Sequence, residues 1–459
     1  YGQGGVDFSG QDVIVNWPRN FRAPAILDIP ACHMDITWGE RWQVDVNACR
    51  GGNEHANLET RLKFVQSEGK PYVDLAVATD HLDLPALADF WPSSLMKPPV
   101  REWLARSIRA GTVEEGRFLL RGDMDQFPFP DHEGILDATA VLSGATLAFH
   151  EDWPEAEGID AALRFRGQGM TMSGSIADLG GVPVRQAGAT IRDFRRARLD
   201  IDYEGRTPLP ALAAFLRQTP LLDNTDLDIE QFTFEGPASV NGRVRLPLGS
   251  TPGALDLSGQ LVLEGNHFSE SQSGVRLENI AGRVAYDRSG FSAEDLSTTW
   301  QAWPARLDLA ADWTGGQPFS ATLDGRFPVA ELVAATPMAG DAMLSRLQGE
   351  AYWQVRFDAV ASETGGNDLW LDVRSDLLGV DMDLPAPLAK AAGVARPFTL
   401  RYPLKATAPL VEVSMTDVGA LSAALTPEGE QIERAAIRFS DTNAMLPGRG
   451  EVKIDGRVD

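Results

Sequence analysis

From one end to the other, the chain alternates apolar with charged residues in short runs, and each run stops at Gly, Pro or Asp. Clear instances occupy residues 197–204, 240–248, 255–264, 319–327, 351–358, 369–374 and 452–458. Successive side chains of a strand point to opposite faces, so each run places Leu, Ile, Val and Phe on one face and Arg, Asp and Glu on the other. The pattern predicts a mainly β protein whose sheet has one wet face and one dry face. Sandwiches and barrels cover the dry face, but strands repeated along a whole chain also suit an elongated, curled antiparallel sheet that forms a hydrophobic groove.

Residues 1–82 read as a first strand block, with strands expected at 13–15, 35–38, 44–46, 58–64 and 73–77. Over 83–116 the period lengthens into a helical insert. Residues 84–91 and 99–108 have helical spacing, with Pro99 near the second start and Gly111 beyond its end. From 117 to 459 the alternation resumes, interrupted by short helices expected at 210–217 and 329–335. Gly242, Gly259, Gly282, Gly325 and Gly456 fall inside strand runs, where glycine marks bulges and bends. About 30 strands stacked ~4.8 Å apart would extend on the order of 140 Å before twist shortens them.

Hydrophobic residues make up 43% of the chain, which excludes general disorder, and 44 Gly with 29 Pro supply the turns that many strands need. Acidic residues outnumber basic ones by 65 to 41, and the net charge of −24 opposes nucleic acid and anionic membrane surfaces. Both signs are interspersed along the strands, as on a solvated outer face. No segment approaches the ~18 apolar residues of a membrane helix, and residues 1–30 lack the basic start and apolar centre of a signal peptide. The abrupt start at Tyr1 and the stop after a strand-like run suggest an excised piece of something longer. Cys32 and Cys49 are the only cysteines. They either pair across neighbouring strands in an oxidising compartment or stand as two unlinked small core residues, and neither reading needs a metal.

Candidate chemistry is sparse. His33, His55, His81, His132, His150 and His267 are scattered singly, without the i, i+3 or i, i+4 spacing that puts two imidazoles on one metal. Asp123-x-Asp125 and Glu151-Asp152 read as solvated loop ends. Ser94-Leu95-Met96-Lys97 matches the S-x-x-K pattern of penicillin-binding enzymes, yet Pro98-Pro99 would stop its helix and no K-T-G element follows, so the match is accidental. Nucleophile elbow, phosphate-binding loop and dinucleotide fingerprint are all missing. The residues support no enzyme, no cofactor and no metal, which leaves a binding or conduit role.

Several longer phrases carry a resemblance. They are residues 99–111, 121–129, Trp153-Pro154, Thr219-Pro220-Leu221, Leu246-Pro247-Leu248 and above all 375–390, Ser-Asp-Leu-Leu-Gly-Val-Asp-Met-Asp-Leu-Pro-Ala-Pro-Leu-Ala-Lys. In order and spread they resemble the AsmA-like proteins of Gram-negative bacteria over roughly residues 1–440, as an interior portion of a longer chain. Phe90-Trp91-Pro92 stands where that family usually has Tyr-Leu-Pro, and the two cysteines match no motif of it. The resemblance implies an inner-membrane-anchored periplasmic protein whose strands form a lipid-lined groove, similar to the chorein-type bridges of eukaryotes. It also implies bulk movement of phospholipid from the inner to the outer membrane. Membrane contact would then belong to other parts of the protein, with partner proteins at either membrane unspecified.

An open apolar groove suits a phospholipid because the acyl tails need a dry wall while the head group stays in water. The wall is expected at Leu163, Phe165, Leu199, Ile201, Val244, Leu246, Leu261, Leu263, Leu323, Val355, Phe357, Leu371 and Val373. The competing expectation is a structural or assembly scaffold for the outer membrane, with the same face closed and no lipid conducted.

Overall fold

A computed structural model describes residues 1–16, 24–66, 68–87, 97–129, 133–221, 232–249, 251–271, 274–314, 318–334, 345–361, 367–404, 410–425, 432–439 and 446–456. The chain divides into two units, Tyr1–Leu222 with Ser239–Gly259, and Asp223–Ala238 with Gln260–Asp459.

In the first unit the alternating runs form β1 (Gly2–Val15), β2 (Ala25–Trp38), β3 (Gln43–Gly52), β4 (Ala56–Val65), β5 (Tyr72–Asp83), β6 (Ile108–Asp123), β7 (Ile135–Leu147), β8 (Ala156–Arg166), β9 (Gly169–Leu179), β10 (Val182–Ile191) and β11 (Arg198–Pro208). Each pairs antiparallel with the next, so chain order is sheet order. The short β12 (Phe232–Glu235) belongs to the second unit, and β13 (Pro237–Pro247) pairs with β11. Among the described residues β1 pairs with β2 alone, so this sheet is open at that edge. The second unit continues with β14 (Asp256–Glu270), β15 (Arg276–Asp287), β16 (Gly290–Trp300), β17 (Trp303–Asp312), β18 (Phe319–Pro328), β19 (Leu347–Ala361), β20 (Asn367–Ser375), β21 (Val380–Met382), β22 (Phe398–Pro403), β23 (Leu410–Met415), β24 (Gly419–Leu425), β25 (Ile432–Phe439) and β26 (Val452–Gly456). Pairing is antiparallel until the last step, where β26 joins β25 in parallel. The fold is mainly β, as the alternation predicts.

Among the described residues three short α-helices interrupt the strands: α1 (Pro98–Ser107), α2 (Leu209–Arg217) and α3 (Val329–Ala334). Prolines occupy the first turns of α1 and α2, where the missing N–H would have no partner anyway. Helix α1 ends within one residue of its expected end at 108. Strand β6 begins at once at Ile108, opposite Leu147, because Thr112 and Val113 pair back onto Asp83 and Leu82. The first expected helix, at 84–91, opens as a turn at residues 84–86, and its end from residue 88 lies outside the described residues.

Strands also run longer than the sequence pattern shows. Glycines at 2, 4 and 5 carry no side chain to reveal alternation, yet β1 begins at Gly2, where a Cβ would sit 2.6 Å from the Trp38 ring. Gly282, with φ +143, lies within a register shift between β15 and β16, as expected of a bulge glycine. Gly325 does not: it keeps regular register between Ala305 and Trp353, and a Cβ there would meet the Phe327 ring at 2.4 Å. Its glycine permits close packing rather than a bend.

Each unit has a core toward one end of its strands. In the first, Ala56, Leu82, Leu84, Val113, Ala145 and Ile159 are buried, with Ile108, Leu147 and Phe149 packed against them. In the second, Leu296, Phe327, Val329, Leu347, Trp353, Leu377 and Val380 are buried beside Leu332 and Val333 of α3. Trp300 meets Phe327 edge-on at 5.1 Å, and the Trp353 indole donates to the Phe327 carbonyl at 3.2 Å.

Candidate functional site: an apolar face in cross-strand rows

Register converts the alternating pattern into continuous rows. In the second unit Leu296, Leu307, Leu323, Val355, Val373, Leu400, Val413, Leu421, Ile437 and Ile454 are successive partners across β16–β20 and β22–β26. A parallel row holds Leu309, Ala321, Phe357, Leu371 and Tyr402. One residue over, on the opposite face, the partners are Arg306, Asp324, Gln354, Arg374, Thr399 and Ser414. Dry and wet faces are thus separated from β17 to β23.

The first unit repeats the arrangement. Val6, Met34, Val46, Leu62, Leu75, Leu120 and Leu136 line up across β1–β7. A second row joins Val77, Phe118, Ala138, Phe165, Met170, Ile191 and Leu199 across β5–β11, and a third joins Ala140, Leu163, Met172, Ala189 and Ile201. On its polar face Arg121 donates to Asp74 at 2.8 Å and Arg164 to Asp137 at 3.0 Å, and each carboxylate raises its arginine's pKa.

The rows bring most of the expected wall residues together: Leu163 with Ile201, Phe165 with Leu199, Leu323 with Val355 and Val373, and Phe357 with Leu371. Val244 and Leu246 lie on β13 and Leu261 and Leu263 on β14, and the last two, like Leu323 and Val373, pack beside the second core. All of these residues are half-buried. A packed second layer would bury them fully, as it does Leu296 at 0% and Phe327 at 0% exposure.

No constellation for chemistry forms around them. Among the described residues no three His, Cys, Asp or Glu side chains are placed to hold a metal. Asp123 and Asp125 shape turns, accepting from the amides of Asp125 and Lys70 at 3.0 Å each. His33 bridges Asp7 at 2.7 Å and Asp35 at 3.3 Å, and those carboxylates raise its pKa. Ser94 and His132 lie outside the described residues, and Lys97 is the N-cap of α1. Cys32 and Cys49, left open by the sequence, are joined as a disulfide between β2 and β3.

One residue escaped the sequence reading although it closes the longest family-like phrase. The Lys390 side chain is buried, and its ammonium donates to the carbonyls of Leu377 at 2.7 Å, Val380 at 2.8 Å and Ala391 at 3.2 Å. Burial lowers its pKa. Its three protons are all used in tying the loop after β20 to β21. A lone lysine in a loop gives no sequence signal of this.

Against that geometry, the family model described as YhdP protein matches residues 2–459. The chain belongs to the YhdP family. It is also similar to the intermembrane phospholipid transporter YhdP of Escherichia coli strain K12, at 24% identity over 385 residues. That match covers 81% of this chain and 29% of the E. coli protein, so the chain spans less than a third of that YhdP relative. No solved structure matches. The YhdP assignment agrees with the AsmA-like resemblance of the quoted phrases. Among the described residues, no helix is long and apolar enough to cross a membrane.

Proposed function

We propose that this chain is a periplasmic stretch of a phospholipid conduit, a transporter segment rather than an enzyme, along whose apolar face acyl chains pass from the inner toward the outer membrane. The carrying observation is the row from Leu296 to Ile454, aliphatic at every strand and half-buried through its middle. The name of the E. coli relative, an intermembrane phospholipid transporter, supports the same reading.

The physics suits sliding. Each acyl CH₂ taken from water contributes about 0.8 kcal/mol, so a tail is held firmly against such a wall. The wall offers aliphatic side chains without directional polar contacts, so one position along a row is nearly equivalent to the next. Head groups stay in water at the open side, and the opposite Arg and Asp rows keep the outer face solvated. Anchoring and delivery fall to parts of the protein outside this chain, which would also meet any partner proteins at the two membranes.

The test is to purify the chain without detergent and identify extracted lipid by mass spectrometry. Co-purifying phospholipid is the expected result. A lipid-free chain that also takes up no fluorescent phospholipid would overturn the proposal in favour of a closed scaffold for outer-membrane assembly.

A further inference from the structure

Among the described residues, Glu157-Gly158 bulges against Thr146 of the preceding strand with Gly158 left-handed, and four further bulges share one geometry: two residues of one strand oppose a single residue of the strand after it, and the second of the two is left-handed. They are Gln11-Asp12 against Asp28, Asn47-Ala48 against Arg61, Ser143-Gly144 against Asp160, and Glu294-Asp295 against Asp308. The left-handed φ values are 49°, 57°, 56° and 59° for Asp12, Ala48, Gly144 and Asp295. In three of the four the opposing residue is aspartate, and its Oδ1 accepts from the N–H of the left-handed residue. The distances are 2.9 Å for Asp12 to Asp28, 2.9 Å for Gly144 to Asp160 and 2.7 Å for Asp295 to Asp308.

A bulge leaves an amide outside the ladder and bends its strand, and a left-handed residue other than glycine is strained. A carboxylate aimed at that amide answers both costs with a charge-assisted bond. On the other face the effect is to keep the apolar row in step. The residues flanking each aspartate are apolar: Leu27 and Ile29, Ile159 and Ala161, Leu307 and Leu309. The residue after each bulge returns to the same side, as Val13, Ala145 or Leu296, of which Ala145 and Leu296 are buried in the two cores.

We propose that Asp28, Asp160 and Asp308 are positioning residues of the apolar wall, each clasping a bulge so that the bend of the strand and the continuity of the row are fixed together. Its consequence for lipid rests on the conduit reading above. The fourth bulge explains itself by contrast. Arg61 cannot accept a hydrogen bond there, and the residue that follows, Cys49, is tied instead to Cys32 on the other neighbouring strand. A covalent link stands where the carboxylate is missing.

The experiment compares Asp160→Ala and Asp308→Ala with Asp160→Asn and Asp308→Asn, whose amide oxygen still accepts, and with Asp372→Ala on the polar face as control. Hydrogen exchange is read in peptides covering 140–147 and 291–298, and phospholipid per chain by native mass spectrometry. Exchange at the bulges is expected to quicken about tenfold or more in the alanine variants, the loss of one charge-assisted bond, and to stay near wild type with asparagine. Lipid load should fall in the alanine variants and hold in the asparagine variants and the control. Unchanged exchange on Asp→Ala would overturn the clasp, and quickened exchange with full lipid load would overturn its role in the wall. Should the interior variants not fold, Asp28→Ala carries the same exchange test, because the residue after its bulge, Val13, is only half-buried. A wild-type chain without lipid would defeat the conduit reading while the exchange result still decides the clasp.

Discussion

Replacing Val355 by Asp should leave the chain folded, whereas replacing Leu296 by Asp should not, although both belong to one apolar row. Leu296 is fully buried, so a carboxylate there loses the burial of a Leu, about 1.5–3 kcal/mol, and must in addition be desolvated or neutralised at a cost of several more. Against a total stability of about 5–15 kcal/mol that is enough to unfold the unit. Val355 is half-buried between Leu323 and Val373. Its loss is about 1 kcal/mol of apolar burial, and at a half-buried position the new carboxylate still reaches water. For a unit of this size, that lowers the melting temperature by roughly 2–4 °C. The same charge should repel acyl chains, so lipid carried per chain falls while circular dichroism stays native. Thermal unfolding and native mass spectrometry of the two variants read both effects. If Val355→Asp unfolds like Leu296→Asp, the row is a closed core and the reasoning fails.

Two further outcomes follow from titratable groups. Lys390→Met should destabilise the loop after β20 by about 2–4 kcal/mol, because the carbonyls it bridges lose their donor while only the cost of one buried ammonium is recovered. Burial lowers the Lys390 pKa, so the folded chain releases that proton before the unfolded chain does. The stability difference between wild type and Lys390→Met should therefore grow as pH rises from the folded pKa toward the ordinary lysine value of about 10.4, and a flat difference in thermal melts would contradict this. His33 has the opposite sign: the hydrogen bond to Asp7 and the charge of Asp35 raise its pKa. Its contribution is present below the ordinary histidine value of about 6.5 and is lost as pH rises through the folded pKa, so His33→Gln should lower the melting temperature at about pH 5 more than at about pH 8.5.

Much of this fold is written locally. In β11 and β18–β20, period-two alternation located the strands and named apolar residues that the register then aligned, because one-face burial leaves a direct imprint on sequence. Pairing order was not read from the sequence: most consecutive strands are neighbours, but β11 pairs with β13, β12 with β14 and β20 with β22. What stayed hidden depends on contacts distant in sequence. The glycine-rich start of β1 is held by Trp38. The register of β6 is set from both sides, by β5 and β7. Asp160 and Asp308 read as ordinary surface charges until the bulge opposite each is seen. Lys390 reads as a loop lysine until the carbonyls of Leu377, Val380 and Ala391, from both sides of β21, close around it.

The most direct measurement places a photo-crosslinking amino acid at Val373, on the apolar row, and at its sequence neighbour Arg374, on the opposite face, and looks for covalent phospholipid adducts in cells. Adducts at 373 and none at 374 are predicted. Equal labelling at both positions, or none at 373, would contradict a lipid-bearing face.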